Sequence, residues 1–342
     1  MNSTMRHATL KDVAKKAEVS LATASRALNN REDVDQDTRK KVLETAKALS
    51  YSPNPLARGL LSGTTKTIGV LVSTIQNPFY GELVAGIEKA LAEEGYTTIL
   101  CNSHEDAEAE RVAVELLLRR RVDGLIIAPV QSKPDGLAFL LEQNTPFVFA
   151  ARYMPGVDTD YVICDDELVG RMVTDHLIEK GYRRILFMNS CRNSSAELRQ
   201  QGYEKSLRSH DIPMEPALIR TVEYGQQVEE VMDAAFQEGL KPSAIFCFCD
   251  EIAVGVLNYL NKEGIKVPDD IAMASCDNLP YTGLLQPPLT SVDVSKFEMG
   301  VEAVKILLAK IKRDKKKTTQ VVLEPKLIER ASSNQVMVNN KK

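Results

Sequence analysis

TLKDVAKKAEVSLATASRALNN, running from Thr9 to Asn30, predicts two short amphipathic helices joined by a tight turn. Apolar residues in its first half recur at i, i+3, i+4 and i+7, the spacing of one helix face: Leu10, Val13, Ala14 and Ala17. Asp12 follows Thr9 by three residues, which resembles a capping box, and Ser20 is a good N-cap for the second helix. Small alanines let the helices cross closely, as a helix-turn-helix requires.

Two further helices are predicted downstream of this stretch. Residues 35–49 form a third amphipathic pattern, which Pro53 and Pro55 bring to an end. Residues 56–64 are compatible with a helix and carry three leucines, but a helix this short is marginal in water by itself. The alternative interpretation of residues 9–30 is a helical hairpin used only for packing, and that of residues 56–64 is a plain interdomain linker.

Charge is distributed unevenly along the 342 residues. Residues 1–66 contain 12 Lys and Arg against 7 Asp and Glu, a net charge of +5, whereas residues 67–342 contain 31 against 40, a net charge of −9. A basic head on an acidic body is typical of a protein whose head alone contacts phosphates.

From Thr67 onward, strand-like and helical segments alternate in two consecutive series. This alternation predicts two subdomains built on parallel sheets with right-handed crossovers. The pattern is similar to the periplasmic-binding-protein architecture, which implies a ligand cleft between two lobes and three chain crossings, placed near 163–166, 291–295 and 323–327.

Several protein classes are disfavoured by the sequence. No apolar run follows Met1 and no stretch approaches 18 apolar residues, so we expect a cytoplasmic protein that does not contact membranes. We find no G-x-S-x-G, Walker A or G-x-G-x-x-G motif, and none of the four histidines is paired with a nucleophile. We therefore expect neither an enzyme nor a cofactor or metal site, and we expect reduced cysteines.

The amino-terminal stretch closely resembles the DNA-binding head of the LacI/GalR family of bacterial transcription regulators. The resemblance rests on Lys11-Asp12-Val13-Ala14, Val19-Ser20, Ala24-Ser25-Arg26 and Leu28-Asn29, and it extends over nearly the whole chain. It implies a repressor that binds a palindromic double-stranded DNA operator as a homodimer and responds to a small effector, a sugar or sugar derivative. The implied domains are a helix-turn-helix head (1–52), a hinge (53–66), a two-lobed α/β body of parallel sheets (67–334) and a disordered tail (335–342).

The resemblance also implies which residues contact DNA. Leu21, Ala22 and Arg26 would face base edges; Arg26 can pair with guanine, and the other two suit thymine methyl groups. Candidate phosphate anchors are Thr9, Ser20, Thr23, Ser25 and Asn29. In the hinge, Leu60 would be the wedge inserted in the minor groove and Ala57 the contact between paired hinges.

Effector-binding residues are expected where strands of the body end, because open α/β sheets form their crevices there. The candidates are Phe79, Tyr80, Arg152, Asp165, Asn193, Ser195, Arg199, Tyr224, Asp250 and Asp277. Arg199 begins a run that resembles the family signature R-x-x-G-[FY], and in the family an equivalent arginine and aspartate hold sugar or nucleobase effectors. For Phe79 and Tyr80, we expect one ring to contact the effector and the other to pack on the lobe beneath.

Two other functions remain open at this stage. One branch of the family responds to a protein co-repressor, and a ligand-binding protein without a DNA role could share the body fold. The basic head and the missing signal sequence count against the second alternative.

Overall fold

The computed structural model describes residues 8–51, 64–130, 137–190, 193–312 and 317–334. Contacts divide the chain into two compact units, Met1–Thr65 and Lys66–Lys342. The expected hinge residues Ala57 and Leu60 and the tail 335–342 lie outside the described residues, so their roles stay predictions.

The described residues of the amino-terminal unit, 8–51 and 64–65, form three helices: α1 (Leu10–Lys16), α2 (Leu21–Leu28) and α3 (Gln36–Ala48). The capping box of α1 is confirmed, because the Asp12 amide donates to Thr9 Oγ1 (3.3 Å) and the Thr9 amide donates to Asp12 Oδ2 (2.9 Å). Ser20 caps α2 by accepting from the Thr23 amide at 3.0 Å. The buried core of this unit consists of small residues: Val13, Ala14, Ala17, Ala24, Ala27, Val34, Val42 and Ala46.

The first lobe of the body surrounds a six-stranded parallel sheet, whose strands lie in the order β11 (Gln320–Leu323), β5 (Tyr161–Cys164), β4 (Phe147–Ala150), β3 (Gly124–Ile127), β1 (Thr67–Val72) and β2 (Thr97–Asn102). Ile68 of β1 lies between Thr98 of β2 and Gly124 of β3. The chain elements from the start of this lobe to the first crossing are β1 (Thr67–Val72), α4 (Pro78–Glu93), β2 (Thr97–Asn102), α5 (Ala107–Arg119), β3 (Gly124–Ile127), α6 (Ala138–Leu141), β4 (Phe147–Ala150) and β5 (Tyr161–Cys164).

The second lobe has a sheet in the order β12-β10-β9-β8-β6-β7, parallel except for the β10–β12 pair. Its elements are α7 (Asp166–Glu179), β6 (Ile185–Ser190), α8 (Ser194–Ser209), β7 (Ile219–Val222), α9 (Val228–Gln237), β8 (Ala244–Cys247), α10 (Asp250–Lys262), β9 (Ala272–Cys276) and β10 (Thr290–Asp293). The chain then returns to the first lobe through α11 (Lys296–Ile311) and β11 (Gln320–Leu323), and ends in the second with β12 (Lys326–Ile328).

Three crossings therefore connect the lobes, after β5, after β10 and after β11, inside the ranges expected from the sequence. The two-lobed α/β fold class with an N-terminal helical unit is confirmed. Two details differ from the sequence prediction. The apolar run Ile245–Cys249 predicts a strand that reaches Cys249, but β8 ends at Cys247, because Cys249 is already the N-cap of α10. The short antiparallel β12 was not predicted.

Two glycines explain the close crossing of α7 and α8 in the second lobe. A Cβ on Gly170 would lie 2.1 Å from the Arg199 carbonyl oxygen, and one on Gly202 would lie 2.1 Å from the Glu167 carbonyl oxygen. Real Cβ atoms do not approach backbone this closely, so each position requires glycine. The glycine of the Arg199-x-x-Gly202 run thus has a packing role, and the crossing that it permits positions the arginine.

Candidate DNA-reading face and effector cavity

The outer face of α2 presents the residues expected to read DNA. Leu21 is 48% exposed, and Ala22 and Arg26 are also exposed. Arg26 Nη1 donates to Asp33 Oδ2 at 3.0 Å, but both side chains are more than half exposed. Exchanging this contact for a guanine costs little, since exposed ion pairs contribute at most about 1 kcal/mol.

The candidate phosphate anchors surround this face, and several of their polar groups are already engaged within the head. The hydroxyl of Thr9 donates to Asp12 Oδ2 at 2.7 Å, and the side-chain Nδ2 of Asn29 donates to the Ser25 carbonyl oxygen at 2.9 Å. Ser20 and Thr23 share a hydroxyl hydrogen bond of 2.8 Å. These residues therefore set the shape of the helix-turn-helix, and their contact with phosphate stays a prediction.

A cavity of about 580 Å³ lies between the two lobes of the body. Segments that follow β1, β4 and β5 line it from one side, and segments that follow β7, β8 and β9 line it from the other. This is where open parallel sheets form crevices, at the carboxyl ends of their strands. A cavity of this size fits a small molecule.

Arg199 is a buried cation on the second-lobe side of the cavity. It is 4% exposed, its Nε donates to Asp166 Oδ1 at 2.7 Å, and its Nη1 donates to the Phe248 carbonyl oxygen at 2.5 Å. Its guanidinium carbon lies 4.4 Å from the centre of the Phe248 ring, a cation–π arrangement. The guanidinium is therefore held rigidly, and its Nη2 has no hydrogen bond to a described residue.

Asp277 completes this group from the end of β9. Its Oδ1 lies 3.8 Å from Arg199 Nη1, and its backbone has a φ of 102°, which is unfavourable for a residue with a side chain. Burial raises the pKa of Asp277 to about 7, despite the opposing effect of Arg199. Near neutral pH this carboxyl can therefore either accept or donate a hydrogen bond.

Lys296 holds the strained backbone of Asp277 in place. This lysine is 2% exposed, its Nζ donates to the Asp277 carbonyl oxygen, and the same Nζ lies 3.4 Å from Glu82 Oε2 on α4. Glu82 belongs to the first lobe and Asp277 to the second, so a single buried ammonium connects the two lobes beside the cavity.

Asp250 supports the same loop from beneath. It is fully buried, and its Oδ2 accepts from the Leu279 amide at 2.7 Å while its Oδ1 accepts from the hydroxyls of Ser275 and Ser291. Burial raises the pKa of Asp250 even though these hydrogen bonds oppose the shift. The carboxyl thus fixes the turn that carries Asp277.

Arg152 and Glu105 form a second buried ion pair, on the first-lobe side. The two Nη atoms of Arg152 donate to the two carboxylate oxygens of Glu105 at 2.9 and 2.8 Å, and each side chain is 10% exposed. Burial alone would raise the pKa of Glu105, but the charge and hydrogen bonds of Arg152 lower it overall. The pair is therefore ionised, and its two hydrogen bonds hold both side chains in place.

Aromatic rings contribute at both ends of the cavity. Phe79 and Tyr80 follow the N-cap Asn77 of α4, and their rings meet edge to face at 5.0 Å. Tyr80 is 5% exposed and belongs to the hydrophobic core of the lobe, whereas Phe79 is half-buried and offers its ring to the cavity. Tyr224 lies at the mouth and is 51% exposed.

Family models match both units of the chain. Residues 9–54 match the model for bacterial regulatory proteins of the lacI family, and residues 65–331 match the model for periplasmic binding proteins and the sugar-binding domain of the LacI family. The chain belongs to the LacI family.

Individual relatives agree with this membership. The HTH-type transcriptional repressor PurR of Haemophilus influenzae strain PittEE is 32% identical over 337 residues, which cover 96% of this chain and 100% of that protein. The structure of the lac repressor dimer bound to operator and the anti-inducer ONPF matches with a TM-score of 0.84 and 27% identity, over 96% of this chain and 100% of that one. The complex of the transcriptional regulator CelR with cellobiose matches with a TM-score of 0.72 and 28% identity, over 95% and 99%.

This LacI-family protein is accordingly a DNA-binding transcriptional repressor under ligand control, and not an enzyme. Within the described part of the chain, no helix is long and apolar enough to cross a membrane, and no three His, Cys, Asp or Glu residues are grouped as a metal site. The five described cysteines are free thiols, and four of them are buried.

Seven of the ten candidate effector residues line the cavity: Phe79, Tyr80, Arg152, Ser195, Arg199, Tyr224 and Asp277. The other three candidates, Asp165, Asn193 and Asp250, do not line the cavity. Asp165 caps α7 by accepting from the Leu168 amide at 2.9 Å, and Asn193 caps α8 by accepting from the Ala196 amide at 2.9 Å. Asp250 is buried under the Asp277 turn. Each follows a strand, as expected, but a helix N-terminus or a turn competes for the same polar side chain.

Several lining residues are not among the candidates. Asp166, the main partner of Arg199, directly follows a candidate, and Glu105 lies three residues beyond β2. Applying the strand-end rule to every strand would have suggested both carboxylates. Phe248 lies within an apolar run whose pattern predicts a strand, so no local signal separates its ring from the core.

Proposed function

We propose that this repressor binds a palindromic operator as a homodimer and that a carbohydrate, or a derivative of one, controls it from the interlobe cavity. The DNA part is supported by the outer face of α2, where Leu21, Ala22 and Arg26 are exposed. A single recognition helix reads only half of a palindrome, so two copies are needed. The related lac repressor structure is a dimer on its operator.

The observation that carries the effector proposal is Arg199 held between two carboxylates in a cavity that also presents the Phe79 ring. Carboxylates and a guanidinium match the donors and acceptors of sugar hydroxyl groups, and an aromatic ring stacks on the apolar face of a sugar ring. The related CelR structure contains cellobiose, and the matching family model includes sugar-binding domains.

Effector control requires that ligand binding change the free energy of DNA binding. Our hypothesis is that the ligand changes the angle between the lobes, and thereby favours or disfavours an ordered hinge in which Leu60 enters the minor groove and Ala57 contacts the partner's hinge. The Lys296 contacts to both lobes give such a change a physical route, since they connect the Asp277 turn to α4.

The test begins with selection of operator sequences from random duplex DNA by the full-length protein. Binding to the selected duplex is then measured with and without individual sugars, and the mass of the complex is measured by sedimentation. A palindromic site, two protein copies per duplex and a sugar-dependent change in affinity are expected. Binding of a single copy to a non-palindromic site would contradict the homodimer, and a response to no sugar would contradict the carbohydrate effector.

A further inference from the structure

The charges around the cavity restrict the chemistry of its ligand. Six carboxylates but only two guanidinium groups belong to described lining residues: Glu105, Asp166, Glu223, Glu229, Glu251 and Asp277 against Arg152 and Arg199. We infer, resting on the proposed function, that the effector is an uncharged or amine-bearing polar molecule, and that its phosphorylated and carboxylated derivatives are rejected.

Both lining arginines are already neutralised by the protein. The two Nη atoms of Arg152 are each bonded to a separate oxygen of Glu105. Arg199 is bonded to Asp166 and also lies near Asp277. An anionic ligand that used either arginine as its counter-ion would share it with a buried protein carboxylate, and separation of a pair would leave that carboxylate buried without its partner.

The rim of the cavity adds negative charge without a compensating cation. Glu223 and Glu251 are exposed lining residues that have no ion pair among the described residues. Glu229 is the exception, because Lys262 donates to its Oε1. A phosphate or carboxylate entering the cavity therefore passes uncompensated like charges before it reaches either arginine.

Helix N-termini at the cavity do not reverse this preference. An N-terminus attracts anions because its amides are unpaired and the helix dipole is positive there. Three of the helices that begin at the cavity carry their own acidic residues in the first turn: Asp166 and Glu167 on α7, Glu229 and Glu230 on α9, and Asp250 and Glu251 on α10. The first turn of α4 carries no acidic residue, and there the Asn77 side chain accepts from the Phe79 amide at 2.9 Å. At α7, α9 and α10 the protein thus supplies the negative charge that a bound anion would otherwise provide.

Carboxylates remain in excess when Asp277 is counted as protonated, since five carboxylates then face two guanidinium groups among the described lining residues.

Fractionated metabolites test this inference even while the ligand is unidentified. A protein-free extract of bacterial cells is separated on an anion-exchange resin into a flow-through of neutral and cationic compounds and a retained anionic fraction. The thermal stability and operator affinity of the full chain are measured with each fraction. A response to the flow-through alone is expected. A response to the anionic fraction would overturn the inference but leave effector control intact, whereas a response to neither would overturn the proposed function itself.

Matched compounds then measure the discrimination by calorimetry: glucose with glucosamine, glucose 6-phosphate and gluconate, and ribose with ribose 5-phosphate. For the sugar that binds, the anionic member is expected to bind at least about 100-fold more weakly, which is about 2.8 kcal/mol. An anion that binds as tightly as its neutral counterpart would overturn the inference.

One variant shows whether the engaged arginines cause the discrimination. Glu105→Gln releases Arg152 from its ion pair and is expected to narrow the 100-fold ratio to about 10-fold. Glu108→Gln is the matched control, because Glu108 pairs with Arg111 on the exposed side of α5 and does not line the cavity. The double variant Glu223→Gln with Glu251→Gln tests the rim separately and is expected to narrow the ratio less, about 3-fold. Unchanged ratios in both lining variants would contradict the electrostatic explanation.

Discussion

Arg26 lies on the exposed face of α2 in the head of this repressor, and Arg199 lines the cavity of its body. Each arginine pairs with an aspartate, Arg26 with Asp33 at 3.0 Å and Arg199 with Asp166 at 2.7 Å. The side chain of Arg26 is 53% exposed, whereas that of Arg199 is 5% exposed. An arginine–aspartate pair is therefore easily separated on the surface of the head but costly to separate in the interior of the body, because the cost of separating charges depends on burial.

The largest effect expected from this comparison follows Arg199→Ala. Its loss leaves the buried carboxylate of Asp166 unpaired, which should lower the free energy of unfolding of the body by about 4 kcal/mol. Urea denaturation followed by circular dichroism measures this loss, and the response of DNA binding to the effector should also disappear. Arg26→Ala is the matched control and should leave the unfolding free energy unchanged. Equal losses of unfolding free energy in the two variants would show that burial does not make one ion pair more important for stability than the other.

Leu60→Ala tests the proposed minor-groove wedge. In the proposed complex the apolar side chain of Leu60 unstacks a base step, and its contact with the bases offsets the cost of unstacking. Loss of that contact is expected to weaken operator binding by about 3 kcal/mol, roughly 100-fold. The fold and the dimer should be unaffected in sedimentation and circular dichroism. An unchanged operator affinity would eliminate the wedge and with it the proposed role of the hinge.

Gly202→Ala tests whether the crossing of α7 and α8 positions Arg199. The added methyl group would lie 2.1 Å from the Glu167 carbonyl oxygen, so the helices must separate, at a cost of about 2 kcal/mol. Weaker effector binding should accompany this loss, because Arg199 lies on the same helix. Gly81→Ala is the control: nothing lies within 4 Å of its added Cβ, and alanine favours the helix by about 0.5–1 kcal/mol. Full effector affinity in the Gly202 variant would contradict the positioning role.

The raised pKa of Asp277 predicts a dependence of body stability on pH. Burial raises this pKa from 3.8 to about 7, so the folded state binds a proton more tightly than the unfolded state. The resulting stabilisation is complete below pH 3.8 and is lost as the pH rises through about 7. Between about pH 5 and pH 8 we expect a loss of about 2–3 kcal/mol in the free energy of unfolding, a loss that is absent from Asp277→Asn.

The measurement is a series of urea denaturations of both proteins across this pH range. Glu110, whose burial also raises its pKa to about 7, contributes to both proteins equally, so the difference between them isolates Asp277. Parallel pH profiles in the two proteins would show that Asp277 titrates normally.

The head and the body also differ in how far the sequence predicts them. The caps and faces of α1 and α2 follow from local spacing, because Thr9, Asp12 and Ser20 interact with residues three positions away. The parallel sheets follow from the alternation of strands and helices, and the three crossings from the resemblance to a known architecture, whereas the order of the strands within each sheet was not predicted. The cavity could not be predicted from local sequence, because Arg199 contacts three residues that are distant along the chain. These are Asp166, Phe248 and Asp277, which lie 33, 49 and 78 positions away. No local pattern distinguishes a strand-end aspartate that faces the cavity from one, such as Asp165, that caps a helix.

The smallest effects on operator binding are expected for substitutions of the exposed Arg26–Asp33 pair in the head. Arg26→Ala removes a base contact and should weaken binding to the selected operator by about 1–2 kcal/mol, with relaxed preference at one base pair of each half-site. Asp33→Asn should do the opposite: it releases Arg26 and removes a negative charge near the phosphates, so operator affinity should rise by up to about 3-fold. Gel-shift titrations at two salt concentrations measure both changes. A weakening caused by Asp33→Asn would show that the carboxylate orients Arg26 for the base, which would make this pair, like that of Arg199, part of the recognition geometry.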